Sequence, residues 1–314
     1  MSTTKPTIGC FPPVAAILLV LIATFSLCTR CWLHTDPTDE ADWQSAAETA
    51  VELAEPTDTI RVEPTWSEAP LPHLTEIGNL LNPNHQPLLE DLAHVHRLLI
   101  ISETGRTDDA LQRLPFDANA EQTHDFGTVR LLEVPIPEQL RIDDDLTRHL
   151  GDVDVYITEG DRQSPCRRSG DTWRCDAGDD TLQIHSELLE IEHEPRRCIR
   201  SDPPGGDRAL VIEADIHETR DLLRIRAGLD ERAARLERGG DVVYRIYIDD
   251  APLTDEDQRL DAHTSRWTAH DVPHTDIDGD AAALRIEIES VDPSPHHRRF
   301  CFNAWGLSEE QAQR

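Results

Sequence analysis

Lysine is all but missing from this chain: Lys5 is the one lysine in 314 residues, and arginine supplies the rest of 30 basic side chains that face 61 acidic ones, for a formal charge of −31. Nucleic-acid binding depends on neutralising phosphates with clustered lysine and arginine, and an acidic excess of this size excludes it. Attraction to an anionic lipid surface is disfavoured on the same ground. The excess instead makes a well-hydrated, self-repelling surface. Catalytic signatures are scarce as well. The G-x-S-x-G elbow and the glycine-rich phosphate loops are absent, and among Cys166, Cys175, Cys198 and Cys301 no C-x-x-C pair offers zinc ligands. His217-Glu218 opens an H-E-x-x-H motif that ends on Asp221 instead of a second histidine. The carboxylates are so many that no spacing among them singles out a glycosidase pair.

Beyond Thr29 the chain holds no long apolar run; before it there is one. Pro6 to Thr29 carries no charged residue, and Val14 to Phe25 is close to pure Ala, Ile, Leu and Val. About 24 uncharged residues match the ~20 that cross a bilayer as a helix. Phe25 to Arg30 offers no A-x-A cleavage pattern, and neither Cys28, after Leu27, nor Cys31, after Arg30, follows the small residues a lipidation site needs. Residues 1–33 are therefore expected to be a retained single-pass anchor, in contact with the lipid bilayer through residues 10–29. The body holds an even set of cysteines, Cys166, Cys175, Cys198 and Cys301, and the short Cys166 to Cys175 separation suits a hairpin staple. Such pairs stay oxidised outside the cytoplasm, which is where the C-terminal body is expected to lie.

Residues 34–73 read as Asp, Glu, Thr, Pro and Ala with few apolar side chains, a composition expected to form a disordered linker. Residues 74–160 read as a small α+β region, with Leu88, Leu89, Leu92 and Val95 at helical spacing before the apolar run Leu98 to Ile101. Residues 161–314 form the clearest unit. Leu223, Ile225 and Ala227 alternate with Arg224 and Arg226; Val242, Tyr244, Ile246 and Ile248 with Val243, Arg245 and Tyr247; Leu284, Ile286 and Ile288 with Arg285, Glu287 and Glu289. Period two with one charged face predicts antiparallel strands, apolar inward and solvated outward. Turns are marked by Pro203-Pro204-Gly205-Gly206, Gly239-Gly240, Asp249-Asp250 and Asp278-Gly279. The fold class is mainly β: an antiparallel jelly-roll-like β-sandwich in the C-terminal half, after the anchor, linker and small α+β region.

The strand YRIYIDDAPL at Tyr244 to Leu253, Trp267 in a later strand, TDIDGDAAALRIEIES at Thr275 to Ser290 and the closing RRFCFNAW to Trp305 follow one another in an order that resembles the galactose-binding-like jelly rolls, the NPCBM-type modules above all. The resemblance covers about residues 208–307 and departs from the family pattern at Asp249-Asp250 and in its cysteines. It implies a sandwich and a carbohydrate ligand, without assigning ligand residues. It also implies that the first and last strands are neighbours, which would bring Cys198, just before the first, to Cys301, in the last. Farther upstream, Arg97 to Asp108 resembles the first strand of sulfatase-like hydrolases, but Cys166-Arg167-Arg168-Ser169 lacks the C-x-P-S-R nucleophile segment that family requires.

These features predict a membrane-anchored, extracytoplasmic, non-catalytic binding protein, with carbohydrate as the ligand class. Trp173, Trp267 and Trp305 are the candidate ligand-binding aromatics. No cofactor is expected. Asp276, Asp278 and Asp280 fall on the first, third and fifth places of a calcium-loop count and are the candidate metal ligands, although Ala281 stands where such a loop needs glycine. The rival readings are a structural or assembly subunit of an envelope complex, which would present an apolar contact patch to an envelope protein, and a hydrolase with its site in 74–158.

Overall fold

The computed structural model describes residues 40–64, 67–74, 80–81, 87–142, 145–178, 180–216, 221–235, 240–276, 282–291 and 298–313. The expected anchor, Pro6 to Thr29, lies outside the described residues; among those described, no helix is long and apolar enough to cross a membrane.

The segment expected to be a disordered linker carries regular structure in its described residues, 40–64 and 67–73. Helix α1 (Glu40–Leu53) buries Trp43, Ala46, Ala47 and Ala50. Their spacing puts all four on one stripe of the helix, and alanine is the best helix former, so a few apolar side chains suffice when they share a face. Strand β1 (Asp58–Glu63) follows, buried along its whole length. Composition alone missed both because it averages over the spacing that makes them foldable.

β1 belongs to a sheet with β2 (Leu80–Leu81), β3 (Arg97–Glu103), β4 (Gln122–Phe126) and β5 (Val129–Pro135), in the order β2-β1-β3-β5-β4, with the short helix α2 (Thr107–Gln112) between β3 and β4. β1 pairs in parallel with β2 and β3; β3, β4 and β5 pair antiparallel. The run Leu98 to Ile101 is continuous because its strand is covered on both faces. Leu99 and Ile101 pack toward α1 with Leu131, while Leu98 and Ile100 pack the other way with Leu132 and Val134.

That other way is the sandwich. Its strands are β6 (Asp154–Glu159), β7 (Arg162–Pro165), β8 (Arg167–Ser169), β9 (Thr172–Ala177), β10 (Asp180–Ile191), β11 (Glu194–Ser201), β12 (Arg208–Ile216), β13 (Leu222–Leu229), β14 (Val242–Ile248), β15 (Ala251–Pro252), β16 (Gln258–Leu260), β17 (Thr268–Pro273), β18 (Ala282–Ser290) and β19 (Phe300–Leu307), with helical turns α3 (Glu231–Ala234) and α4 (Glu309–Ala312). A second sheet runs β17-β13-β19-β11-β10-β9-β8 and a third runs β15-β14-β18-β12-β6-β7, with β16 alongside β14. The alternating segments read from the sequence are β13, β14 and β18. Their apolar sets meet between the two sheets, where Ile225, Phe302, Tyr244, Ile246 and Ile286 share one core. The third sheet recruits β6 from within 74–160.

The second sheet departs from the expected apolar-in, solvated-out scheme. The central part of its outer face is covered by the first sheet, through a cluster that joins Leu92, Leu98 and Ile142 to Cys198, Trp267, Cys301 and Trp305. Arg224 and Arg226 on that face are met by a carboxylate from the turn Leu89–Leu92. Glu90 Oε1 accepts from Arg224 Nη1 at 2.9 Å and from Arg226 Nη2 at 3.1 Å. Asp91 caps its own turn through the Leu88 amide at 2.7 Å and ion-pairs with Arg196 of β11. Burial pushes Glu90 up, but the two arginines outweigh it and hold the carboxyl below its ordinary range. The layers thus run α1, first sheet, second sheet, third sheet.

Both disulfides form between the expected partners, Cys166 with Cys175 and Cys198 with Cys301, with Cα separations of 4.4 and 5.7 Å. The first sits where the chain leaves the third sheet for the second. The other joins neighbouring strands β11 and β19 beneath the covering layer.

Candidate functional site

With the second sheet covered where β13, β19, β11 and the end of β10 meet the first sheet, a broad open sheet face among the described residues is the outer face of the third. Register sets what stands on it. Tyr156 of β6 lies opposite Val211 of β12, which lies opposite Glu287 of β18, which lies opposite Arg245 of β14. The neighbouring row runs Asp154, Glu213, Arg285, Tyr247. Alternate residues of each strand point to opposite faces, so these two rows share the outer surface while Val155, Ile212, Ile286 and Ile246 fill the core.

Every side chain of the rows that carries a long polar group is held. Tyr156 OH donates to Glu213 Oε1 at 2.8 Å and Tyr247 OH to Glu287 Oε2 at 3.3 Å. The Arg285 guanidinium lies 4.1 Å from the centre of the Tyr247 ring. It donates through Nη1 to Asp250 Oδ1 at 3.0 Å, with its Nε 3.4 Å from Glu287 Oε1. Arg245 grips Asp257 with two bonds of 2.6 and 2.8 Å and reaches Glu289 Oε1 at 2.6 Å. Partial burial, then the Glu213 hydrogen bond, pushes the Tyr156 hydroxyl up to about 12, and burial followed by Glu287 raises Tyr247 as well. Both phenols therefore remain proton donors at every physiological pH. Hydrogen bonds from Arg245 hold Asp257 below its ordinary range. The result is a pre-arranged lattice of donors and acceptors with two of the chain's three tyrosines on it. The third, Tyr244, points into the core, where its hydroxyl lies 2.8 Å from His270 Nε2.

None of the three tryptophans singled out by the sequence presents an open ring. Trp267 and Trp305 are buried in the cluster between the first and second sheets, 7% and 3% exposed. They are hidden because the first sheet covers the face from which they project. Trp173 is half-buried against the sandwich core and donates its indole N–H to the Leu150 carbonyl at 2.9 Å. Asp278 and Asp280 lie outside the described residues. Asp276 closes the short turn His274–Asp276, and its side chain too lies outside them.

Elsewhere, Glu190, His193 and Glu231 bring ligand atoms within 4.8 Å of one another. One imidazole with two carboxylates is a donor set suited to zinc, but the Arg235 guanidinium already stands 2.7 Å from Glu231 Oε1. In the stretch proposed for a hydrolase, His94 Nε2 lies 2.8 Å from Asp145 Oδ2. Burial raises Asp145, but His94 and Thr147 outweigh it and keep the carboxyl low. Among the described residues, the cleft beside them is lined by Asp145, Leu146, His149, Asp215, Ile216, Ala304 and Gly306, none of them a serine, threonine or cysteine.

No family model matches this chain, and no curated protein matches it. Carbohydrate-binding modules are among the solved structures it is similar to. One is the CBM51 from Clostridium perfringens GH95 in complex with methyl-galactose, at 12% identity over 40% of this chain and 86% of that one, with a TM-score of 0.29. A second is CBM51-2 in complex with GlcNAc and the INT domains from Clostridium perfringens ZmpB, at 12% identity over 61% of this chain, with a TM-score of 0.30; the match spans only 41% of that chain's length. The family 11 carbohydrate-binding module from Clostridium thermocellum, in complex with a mixed-linked tetrasaccharide, matches at 7% identity over 50% of this chain and 98% of that one, with a TM-score of 0.25. Scores this low carry no argument about the ligand of this chain, which rests on its own geometry.

Proposed function

We propose that this chain is a non-catalytic carbohydrate-binding protein and that the glycan lies on the outer face of the third sheet. The observation that carries the reading is the pair of rows built on Tyr156, Tyr247, Arg245 and Arg285. A pyranose presents closely spaced hydroxyls that both donate and accept. A face that recognises it needs both kinds of partner, fixed before binding so that little freedom is lost on contact. Tyrosine adds contact area at low entropic cost, and the arginines are tied by two or more carboxylates each. The apolar segment Pro6 to Thr29 supports a membrane anchor, and the two disulfides support a body outside the cytoplasm.

The assembly-subunit reading gains no comparable support. Among the described residues, the exposed large hydrophobic side chains are Val51, Leu188 and Val291, on α1, on β10 and just after β18. An apolar docking patch would gather such residues in one place.

A glycan array probed with the full chain, purified in detergent under oxidising conditions, tests the proposal. Retention on a defined set of sugars is expected, with loss in both Tyr156→Ala and Tyr247→Ala while the melting temperature stays within a few degrees of the parent. A folded protein that binds no glycan, or whose binding ignores both tyrosines, sinks it. Protease treatment of intact cells checks the location: the body is expected to be cleaved from outside.

A further inference from the structure

We infer that this face selects cationic amino sugars over neutral ones and rejects uronic acids. The inference rests on the carbohydrate-binding reading and deepens it. The outer rows and their immediate partners bring the carboxylates of Asp154, Glu213, Glu287, Glu289, Asp250 and Asp257 to one surface, against the guanidiniums of Arg245 and Arg285, while Arg259, beside Val243 on the same face, is paired with Asp241. Each arginine is already shared among acids: Arg245 between Asp257, Glu289 and Glu287, the last at 3.7 Å, and Arg285 between Asp250 and Glu287. Their charge is therefore spent locally, and what an incoming ligand meets is a net negative field with acceptor oxygens at its centre.

The arginine on Tyr247 points the same way. A sugar that binds by stacking needs the open face of an aromatic ring, and Arg285 already occupies one face of Tyr247. Recognition at this row falls to hydrogen bonds and charge. A protonated sugar amine supplies donors and a positive charge, which match the acceptor oxygens and negative charge of these carboxylates. An N-acetyl group at the same position supplies one donor and no charge. A uronate brings a like charge to these carboxylates and is repelled.

Titration calorimetry on the full chain with three probes tests this: a glucosamine tetramer, its N-acetylated counterpart and a glucuronate-containing tetramer. The amine form is expected to bind roughly tenfold more tightly than the N-acetylated form, since several surface charge pairs of modest strength act together. The uronate is expected not to bind, and the preference should shrink in high salt. Because the whole chain is acidic, diffuse attraction of a polycation must be separated from recognition. The double variant Glu287→Gln/Glu289→Gln is expected to lose most of the preference, whereas Glu48→Gln/Glu52→Gln on α1, which removes the same charge far from the face, is expected to keep it. Equal affinity for amine and N-acetyl forms overturns the inference while leaving the carbohydrate reading in place. Equal losses in the two double variants overturn it as well. Absence of binding to all three probes and to every sugar on the array removes the carbohydrate reading with it.

Discussion

The outer faces of the second and third sheets begin from the same sequence pattern and end in opposite environments. Arg224 and Arg226 alternate with apolar residues along β13 as Arg245 does along β14, and nothing local tells the strands apart. Yet Arg224 is 8% exposed and locked onto Glu90 and Asp271, while Arg245 lies half-exposed on a solvent-facing lattice. Alternation fixes which side of a strand a residue takes. Whether that side meets water depends on a layer folded from residues more than 100 positions away.

The largest effect separating the faces should come from their cystines. Cys198–Cys301, under the covered face, closes a span of 103 residues, and Cys166–Cys175 closes one of 9. In the chain-entropy model these are worth about 4 to 5 and about 2 to 3 kcal/mol. Paired Cys-to-Ser variants unfolded in urea are expected to rank in that order; a reversal would show that the covering layer, and not chain entropy, sets the stability. Next comes charge. Glu90→Gln leaves Arg224 and Arg226 without their shared carboxylate in a buried joint and is expected to cost about 3 kcal/mol, against at most about 1 kcal/mol for Glu289→Gln on the open face. Similar losses at both positions would mean that the covered face is wet.

The smaller predictions concern pH and salt. Burial pushes Asp91 up to about 7 against a pull from Arg196, with Glu90 and Glu194 adding to the rise. A carboxyl whose folded value lies above its unfolded one holds a proton that the unfolded chain releases. Its stabilising contribution is present in acid and lost as pH climbs through about 7. Stability measured from pH 5 to 8 should therefore fall less steeply in Asp91→Asn than in the parent; parallel curves would place the titration elsewhere. Last, an excess of −31 repels itself, so the melting temperature should rise by a few degrees between low and molar NaCl, and an unchanged value would show that the charges are already neutralised in pairs.

Strands β13, β14 and β18 were legible because one face of each packs on a core whatever covers the other. Both cysteine pairings were legible too, one from short spacing and one from the implied neighbourhood of first and last strands. Helix α1 was not, because Trp43, Ala46, Ala47 and Ala50 are too few to stand out in an acidic stretch until their spacing is read. The site was half visible. Alternation already turned Tyr247 outward, but its companion Tyr156 sits in a segment assigned to another region, and the bond to Glu213 crosses 57 positions. Trp267 and Trp305 show the converse: large aromatics suit ligand faces and buried joints alike, and the covering layer puts these two in the joint.

The joint over Cys198 and Cys301 also bears on how the chain comes to be made. The layer that seals it, residues 87–142, precedes its seat on Phe300 to Leu307 of β19 along the chain and is synthesised before it. Until that strand arrives, Leu92, Leu98 and Ile142 have nowhere to bury. The nascent chain must therefore carry a sticky half-built surface until β19 is made, and a premature stop between that layer and β19 would leave it permanently uncovered, the kind of lesion that chaperones and proteases recognise.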